Sequence, residues 1–385
     1  MIRNWVFLVV FASFRLWGLE FSDFDVYQGL FTREEINERL KTYLEKETQI
    51  GAYYQLTDDA FYIGDLANQK IDFILRLANS SSQKKNYQIA SQQGLQGVKI
   101  AIDPGHFGGI FAELEERCVK ISANETQSID PIVIEEGTLT FLTALELKSL
   151  LEAEGATVFL TRASISQGAL EQDFFCWLRD NPQIWASKDP LSKLFRNHYN
   201  REDLKQRALK INSFHPDITL ILHYNGHLSE EERQQKQTLT ASNYNLLFIP
   251  GAFCANELQT PDERYHFLRL LLTDSLDNSL RLSQCLTKHL ESVLGVPLVN
   301  ELDHPTYLRK MCLRVADGIY SRNLALTRLV HSPLCYGETL IQNNKQEIYK
   351  LSLKDSEIAQ ISCSSRIKEV ARAYFNGIKD YFAEE

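Results

Sequence analysis

The sequence contains no long basic run, no Cys-x-x-Cys pair and no internal repeat. A formal net charge of −9 over 385 residues argues against a nucleic-acid-binding groove, because phosphate binding requires clustered lysine and arginine. The seven cysteines are scattered, which excludes a thiolate zinc site of the usual ligand spacing. Their number is odd, so at least one thiol has no intrachain disulfide partner. We expect buried free cysteines, although an exported chain could form one or two disulfides.

The sequence also lacks a segment of transmembrane length. Its N-terminus carries Arg3 and then an apolar run over residues 5–14, which is too short to span a bilayer but matches the central region of a signal peptide. Gly18 is a small residue before a cleavage point. We therefore expect residues 1–18 to be a signal peptide, and the processed chain not to be an integral membrane protein. Because Arg15 interrupts this pattern, an amphipathic or buried N-terminal helix is the alternative.

Residues of about 20–80 are predicted to be helical. A capping box at residues 32–35 precedes one apolar stripe at helical spacing, and a second stripe follows. The stripes consist of Ile36, Leu40, Tyr43 and Leu44, then Ile71, Ile74, Leu75 and Leu77. Polar residues 79–97 indicate a linker. The predicted units are therefore a helical region with its linker at 19–97 and a catalytic domain at 98–385.

In the second unit, strand and helix patterns alternate. This predicts an α/β fold: a single twisted, mostly parallel or mixed sheet with helices on both faces. Strands are expected at 98–102, 157–161, 218–222, 246–249, 324–329 and 334–336, and helices at 138–154, 202–212, 277–294 and 357–381. Three segments, at about 107–134, 163–200 and 228–274, are insertions longer than the connections of a minimal α/β domain. Long insertions of this kind usually act as lids, binding loops or partner surfaces.

Three of the predicted strands end in chemically useful side chains. His106 follows the tight turn Asp103-Pro-Gly, His223 follows a strongly apolar strand, and Glu338 follows residues 333–337. Because the carboxyl ends of parallel strands converge on one crevice, two histidines and a carboxylate here suggest a hydrolytic metal site. Asn225, two positions after His223, would point to the same side and could hold a substrate.

Each of these residues also has an ordinary structural interpretation. His106 could be a polar turn residue, His223 a satisfied core histidine and Glu338 a solvated turn residue. Glu135 and Glu136 precede a predicted helix, where carboxylates commonly cap the N-terminus. The residues alone leave these alternatives open.

Taken in order, the motifs form a recognisable series. They are Asp103-Pro-Gly-His-Phe-Gly-Gly109, Glu136 with a leucine-rich helix to Gly155, Leu160-Thr-Arg162, Arg201 or Arg207 with Asn212, His223-Tyr-Asn225, and Glu338 followed by Asn343-Asn344. Over roughly residues 98–355, this series resembles the zinc-dependent N-acetylmuramoyl-L-alanine amidases of the amidase type 3 family. The chain departs from the family pattern at Phe107, where the family usually has glycine, and in its long insertions.

The resemblance implies a site and a reaction. His106, Glu136 and His223 would bind one Zn²⁺ and leave a fourth position for water. Counting back from Gly155 favours Glu136 over Glu135 as the family carboxylate. Glu338 would take a proton from that water and pass it to the leaving amine, while Asn225 and Arg201 would bind substrate.

The family cleaves the amide between N-acetylmuramic acid and L-alanine of the peptidoglycan stem peptide. This implies an exported protein of the periplasm or cell envelope that takes part in cell-wall remodelling or cell separation. Family members that act in division often carry a regulatory helix over the zinc, released by a protein activator, and one of the insertions or residues 20–80 could have this role. Two alternatives are an exported peptidoglycan-binding pseudo-enzyme and a zinc peptidase that cuts within the stem peptide.

Overall fold

The computed structural model describes residues 19–80, 94–126, 129–226, 238–300 and 305–383. The predicted signal peptide and most of the predicted linker lie outside the described residues. The strands are β1 Tyr54–Leu56, β2 Ala60–Asp65, β3 Lys70–Arg76, β4 Lys99–Pro104, β5 Cys118–Ile121, β6 Ile132–Glu135, β7 Thr157–Leu160, β8 Ile218–Asn225, β9 Leu246–Ile249, β10 Cys312–Ala316, β11 Ile319–Arg322, β12 Leu334–Ile341, β13 Ser356–Ile358 and β14 Ile361–Cys363. The α-helices are α1 Arg33–Arg39, α2 Ala123–Thr126, α3 Glu136–Ala153, α4 Phe174–Asp180, α5 Pro182–Trp185, α6 Leu191–Leu194, α7 Asn200–Phe214, α8 Pro261–Leu272, α9 Ser275–Leu294, α10 Thr306–Met311, α11 Ala325–Leu329, α12 Glu347–Ser352 and α13 Ser365–Ala383.

Seven strands form the central sheet, in the order β10-β11-β9-β12-β8-β4-β7. Strands β7, β4, β8 and β12 run parallel to one another, whereas β9 pairs antiparallel with β12 and β10 pairs antiparallel with β11. Every residue of β8 is buried, which is expected of a strand covered on both faces. The predicted mixed sheet with surrounding helices is confirmed.

The two faces of this sheet are covered by different helices. Ile100 and Leu220 pack in the core that contains apolar residues of α3, α9 and α13. Ala101 and Ile221, which alternate with them along the same strands, pack with residues of α7 and α11. This alternation follows from the two-residue period of a strand, and it accounts for the run of apolar residues over the first part of β8.

The N-terminal region is helical in its first half only. The capping box is present: Thr32 Oγ1 accepts the Glu35 N–H at 3.3 Å, and the Glu35 carboxylate accepts the Thr32 N–H at 2.9 Å. The prediction of helix as far as residue 80 is wrong, because β1, β2 and β3 form an antiparallel sheet there. In β3, Phe73 and Leu75 are buried at strand spacing, whereas Ile74 between them is 42% exposed.

Two other predicted elements need correction. Residues 324–329, predicted as a strand, form helix α11, whose start is stabilised by the Leu324 N–H donating to Thr327 Oγ1 at 2.8 Å. The predicted helix at 357–381 begins only at Ser365, after the hairpin β13–β14. Ala359 and Gln360 both have positive φ there, as a two-residue hairpin turn requires.

The three predicted insertions have different structures. The segment 107–134 contains the hairpin β5–β6, and 163–200 consists of short helical segments. The segment 228–274 contributes β9, which lies inside the central sheet, and helix α8. The last of these is therefore partly a structural element of the sheet.

The N-terminal region packs on α8. Arg39 donates to the carbonyl oxygens of Leu271 at 2.8 Å and Thr273 at 2.6 Å. The rings of Phe24 and Tyr265 lie 4.8 Å apart. The chain beyond the carboxyl end of β9 contacts the same region, through a bridge between Glu45 and Phe253. Because β9 runs antiparallel to β12, this contact lies at the end of the sheet where β4, β8 and β12 begin, opposite their carboxyl ends.

Two further observations concern the cysteines and the lengths of the helices. All seven cysteines are free, and five of them are buried. Within the described part of the chain, no helix combines the length and apolar character needed to cross a membrane.

Candidate metal centre

The three strands singled out in the sequence are neighbours in the sheet. Strand β8 pairs with β4 on one side and with β12 on the other, all in parallel. Pro104 is opposite Leu222, and Glu338 is opposite His223. The carboxyl ends of the three strands therefore share one edge, as predicted.

His106, Glu136 and His223 converge at this edge. One ligand atom from each lies within 4.8 Å of the other two. Glu136 Oε1 is 3.5 Å from a ring nitrogen of His106, Nε2, and 3.0 Å from Nδ1 of His223. The two imidazole rings are nearly perpendicular, with centroids 4.6 Å apart. Two imidazole nitrogens and one carboxylate oxygen directed at one point are a donor set suited to zinc with an open fourth position.

The protonation of the two histidines suits a metal. Burial lowers the pKa of His106, and burial lowers the pKa of His223 to about 4. Both rings are therefore neutral near pH 7, which is the form that binds a metal ion. His223 is also held by Tyr336, whose ring stacks on it at 4.4 Å and 8°.

The turn before His106 brings the two histidines together. A Cβ added at Gly105 would overlap the ring of His223, so a side chain here would displace that histidine. His106 itself has a φ of 57°, in the left-handed region that non-glycine residues rarely adopt. Backbone strain of this kind is typically found at functional sites, where the surrounding structure maintains it.

Two buried arginines hold the backbone of this turn through hydrogen bonds. Arg162 and Arg207 each donate to the Pro104 carbonyl oxygen at 2.9 Å. Arg207 also donates to Asp203 at 2.6 Å and to Asp103 at 3.4 Å. The turn therefore rests on a paired network of buried charges.

Glu136 is fixed by the backbone around it. It is the first residue of α3, and its N–H donates to the Arg117 carbonyl oxygen at 3.1 Å. Its carboxylate accepts the Tyr224 N–H at 3.2 Å and the Gln342 Nε2 donor at 3.4 Å. These contacts direct the carboxylate towards the two histidines.

The neighbouring carboxylate has a different role. Glu135 accepts the Gly109 N–H at 2.8 Å and the Thr138 hydroxyl at 2.7 Å. It therefore ties the Gly109 backbone to the first turn of α3, without a side-chain hydrogen bond to the N–H groups of the helix. Of the two adjacent glutamates, Glu136 is the one in the cluster.

Glu338 lies beside His223 and is partly buried. Burial raises the pKa of the Glu338 carboxyl, and the negative charge of Glu136 adds to this, while His223 opposes it. Asn225, at the end of β8, is buried, and its Nδ2 has no hydrogen-bond partner among the described residues. Both groups are thus near the cluster, with capacity for further hydrogen bonds.

The two arginines considered from the sequence are separated by the fold. Arg201 lies exposed on the first turn of α7, whereas Arg207 is 1% exposed and donates to the Pro104 carbonyl oxygen of the turn that precedes His106. Arg207 therefore supports the turn, and the predicted contact of Arg201 with substrate stays a prediction.

Two further residues near the cluster, both in the segment 107–134, carry no signal in the sequence. The Glu115 carboxylate is 2.8 Å from His106 Nδ1, and this interaction contributes to lowering the pKa of Glu115 to about 2, against the effect of burial. Arg117 is exposed, and the partial desolvation of its guanidinium is outweighed by the charges of Glu136 and Glu115, which raise its pKa. The segment holds several glutamates, and only the tertiary structure distinguishes the buried one.

Comparison with known proteins bears on the identity of this site. The family model described as N-acetylmuramoyl-L-alanine amidase, type 3, matches residues 100–369. One similar solved structure is the CwlD amidase of Clostridioides difficile with the GerS lipoprotein: identity is 16%, coverage is 75% of this chain and 100% of that one, and the TM-score is 0.44. Another is the Ami1 amidase of Mycobacterium smegmatis, with 14% identity, 76% and 99% coverage and a TM-score of 0.44. No curated protein matches significantly.

At these identities and TM-scores the solved structures carry no argument about activity. The family match, by contrast, spans well over half of the 385 residues. It also covers every member of the cluster described above. The chain belongs to the N-acetylmuramoyl-L-alanine amidase family, type 3, and is an enzyme of that class.

Proposed function

We propose that this protein binds one Zn²⁺ through His106, Glu136 and His223 and hydrolyses the amide between N-acetylmuramic acid and L-alanine of peptidoglycan. The observation that carries the proposal is the convergence of these three ligand atoms within 4.8 Å in a chain of the amidase family. The donor set supports zinc, since neutral imidazoles and a carboxylate with an open position are typical of catalytic zinc sites.

The surrounding residues can perform the proton transfers. When bound, Zn²⁺ supplies Lewis-acid polarisation and makes water acidic enough to react near neutral pH. Glu338 takes the proton from the attacking water and delivers it to the amine that leaves. A raised pKa suits a carboxylate that must both accept and return a proton. Asn225 offers its free Nδ2 to a substrate carbonyl, and Arg201 contributes a positive charge at the surface.

The biological setting is part of the proposal. A peptidoglycan substrate requires export to the periplasm or cell envelope, which the N-terminal signal-peptide pattern supports. We infer a role in cell-wall remodelling or cell separation. We also propose that a protein activator acts on this chain, because its long insertions offer segments that could cover the carboxyl ends of β4, β8 and β12.

The proposal is tested by metal analysis together with mass spectrometry of digested peptidoglycan. We expect one zinc per chain and release of stem peptides that begin with L-alanine. Absence of zinc and of products would favour the peptidoglycan-binding pseudo-enzyme. Cleavage between stem residues would favour the zinc peptidase. His106→Ala and His223→Ala should each lose zinc, and retention of full zinc content in either variant would contradict the ligand assignment.

Regulation by a covering segment can be tested separately. Residues 19–80 contact the end of the sheet opposite His106, Glu136 and His223. The insertions are therefore the better candidates for a segment that covers these residues. Removal of a covering segment should raise the activity of the purified enzyme in the absence of a partner. The deletion is made within residues 163–200, because the other two insertions contribute β9 and the contact of Glu115 with His106. If it gives no increase, those residues are not the cover.

A further inference from the structure

The segment 107–134 places a carboxylate behind a proposed metal ligand. We propose that Glu115 is a positioning residue of the metal centre, which holds the His106 ring so that its Nε2 faces the metal. This inference rests on the zinc site of the proposed function. It assigns to an insertion of this chain a part in building the site.

The geometry separates the roles of the two nitrogens of His106. Nε2 lies 3.5 Å from the Glu136 carboxylate, on the side of the cluster, whereas Nδ1 lies 2.8 Å from Glu115 Oε1. A carboxylate at this position accepts the Nδ1 proton, which leaves the lone pair of Nε2 for a metal. Carboxylates that bond the far nitrogen of a metal-binding histidine in this way fix both the tautomer and the ring orientation.

Glu115 is itself held in place. It is 4% exposed, its Oε2 accepts the Phe107 N–H at 2.6 Å, and its Oε1 accepts the Asn200 Nδ2 donor at 3.1 Å. The Phe107 ring packs against Phe195, with centroids 5.2 Å apart. Phe107 and Asn200 thus anchor Glu115 from two directions, and the carboxylate is fixed before a metal binds.

These contacts distinguish a carboxylate from its amide. The two oxygens of Glu115 face donors only: the His106 ring and Asn200 on one side, and the Phe107 N–H on the other. In Glu115→Gln, the new amino group must oppose one of these donors. The substitution therefore weakens the hold on His106 at almost constant volume, either at the ring itself or through the Phe107 N–H that fixes the carboxylate.

The same segment offers a matched control. Glu113 lies two residues away, is exposed and pairs with Lys120 at the surface. Glu113→Gln removes an identical charge from the same loop without touching His106. A long-range electrostatic effect would weaken zinc binding in both variants, whereas a positioning effect is confined to Glu115.

The experiment measures the dissociation constant for Zn²⁺ by competition with a chromogenic chelator. We expect Glu115→Gln to bind zinc about 10–100-fold more weakly than the unsubstituted protein, and Glu113→Gln to bind it as the unsubstituted protein does. The visible spectrum of the Co²⁺-loaded protein should change in Glu115→Gln alone. The unfolding midpoint of the metal-free proteins shows whether each variant is folded.

The outcomes separate this inference from the proposed function. If the unsubstituted protein binds zinc and Glu115→Gln binds it equally tightly, the inference is wrong and the proposed function stands. If the unsubstituted protein binds no zinc, both are wrong. Should Glu115→Gln fail to fold, Asn200→Ala supplies the second measurement. It removes one support of Glu115 and should weaken zinc binding a few-fold, and an unchanged constant would overturn the inference.

Discussion

Replacement of Arg207 tests whether the turn that presents His106 depends on a buried charge network. The guanidinium is 1% exposed and bonds Asp203, Asp103 and the Pro104 carbonyl oxygen. In Arg207→Ala, two wholly buried carboxylates lose this positive partner. Removal of one partner from a buried ion pair costs about 3–5 kcal/mol of folding free energy, because the remaining charge is left uncompensated. We therefore expect the free energy of unfolding to fall by about 3–5 kcal/mol.

The measurement is equilibrium unfolding in urea, with Arg201→Ala as the control. Arg201 lies on the same helix but is exposed, so its removal should change stability by no more than about 0.5 kcal/mol. Arg207→Lys keeps the charge but lacks the planar set of guanidinium donors. Its free energy of unfolding should lie between those of Arg207→Ala and Arg201→Ala. A loss below about 1 kcal/mol in Arg207→Ala, within the range of exposed pairs, would refute the reasoning.

Three further outcomes are expected. Glu338→Gln should retain zinc and lose about 10²–10⁴-fold in turnover, the usual contribution of a general base; near-normal turnover in peptidoglycan digestion would exclude that role. Burial, together with the charge of Arg269, lowers the pKa of His266 from 6.5 to about 3. Below pH 6.5 the unfolded chain therefore binds a proton that the folded chain does not, and the free energy of unfolding falls as the pH is lowered. Between pH 7 and pH 5, protonation of this histidine in the unfolded chain should lower the free energy of unfolding by about 2 kcal/mol. Urea unfolding of the unsubstituted protein and of His266→Gln at both pH values measures this, and the variant should lack that part of the decrease. Because all seven cysteines are free, a reducing agent should leave the unfolding midpoint unchanged, and a shift would indicate a disulfide.

The position of the site could be predicted from the sequence because it depends on local patterns. The runs before His106, His223 and Glu338 are short and strongly apolar, and strands of this kind place their ends at a common edge of a parallel sheet. The order of the strands confirms that these three are adjacent. The residues alone did not decide which of two adjacent glutamates faces the histidines, since Glu135 and Glu136 both suit a helix start; only the resemblance to the family favoured Glu136.

The errors arise where the apolar pattern is ambiguous. The spacing of Ile71, Ile74 and Leu75 fits a helix, yet the residues form an amphipathic strand with Phe73 and Leu75 inside. A short run such as 324–329 is equally consistent with a strand or a helix, and tertiary packing decides between them. Glu115 could not be identified because its burial depends on contacts with Phe107 and Asn200, the latter distant in sequence.

The packing of the N-terminal region on α8 has a consequence for how this chain can be divided. A shortened chain that begins at residue 98 would remove the partners of Arg264 and Tyr265, which are Asp72 and the ring of Phe24. It would leave a buried arginine without its carboxylate and an aromatic surface open to water, a combination that promotes aggregation. We therefore expect a chain that begins at the boundary suggested by the polar linker to be less stable than one that includes residues 19–80.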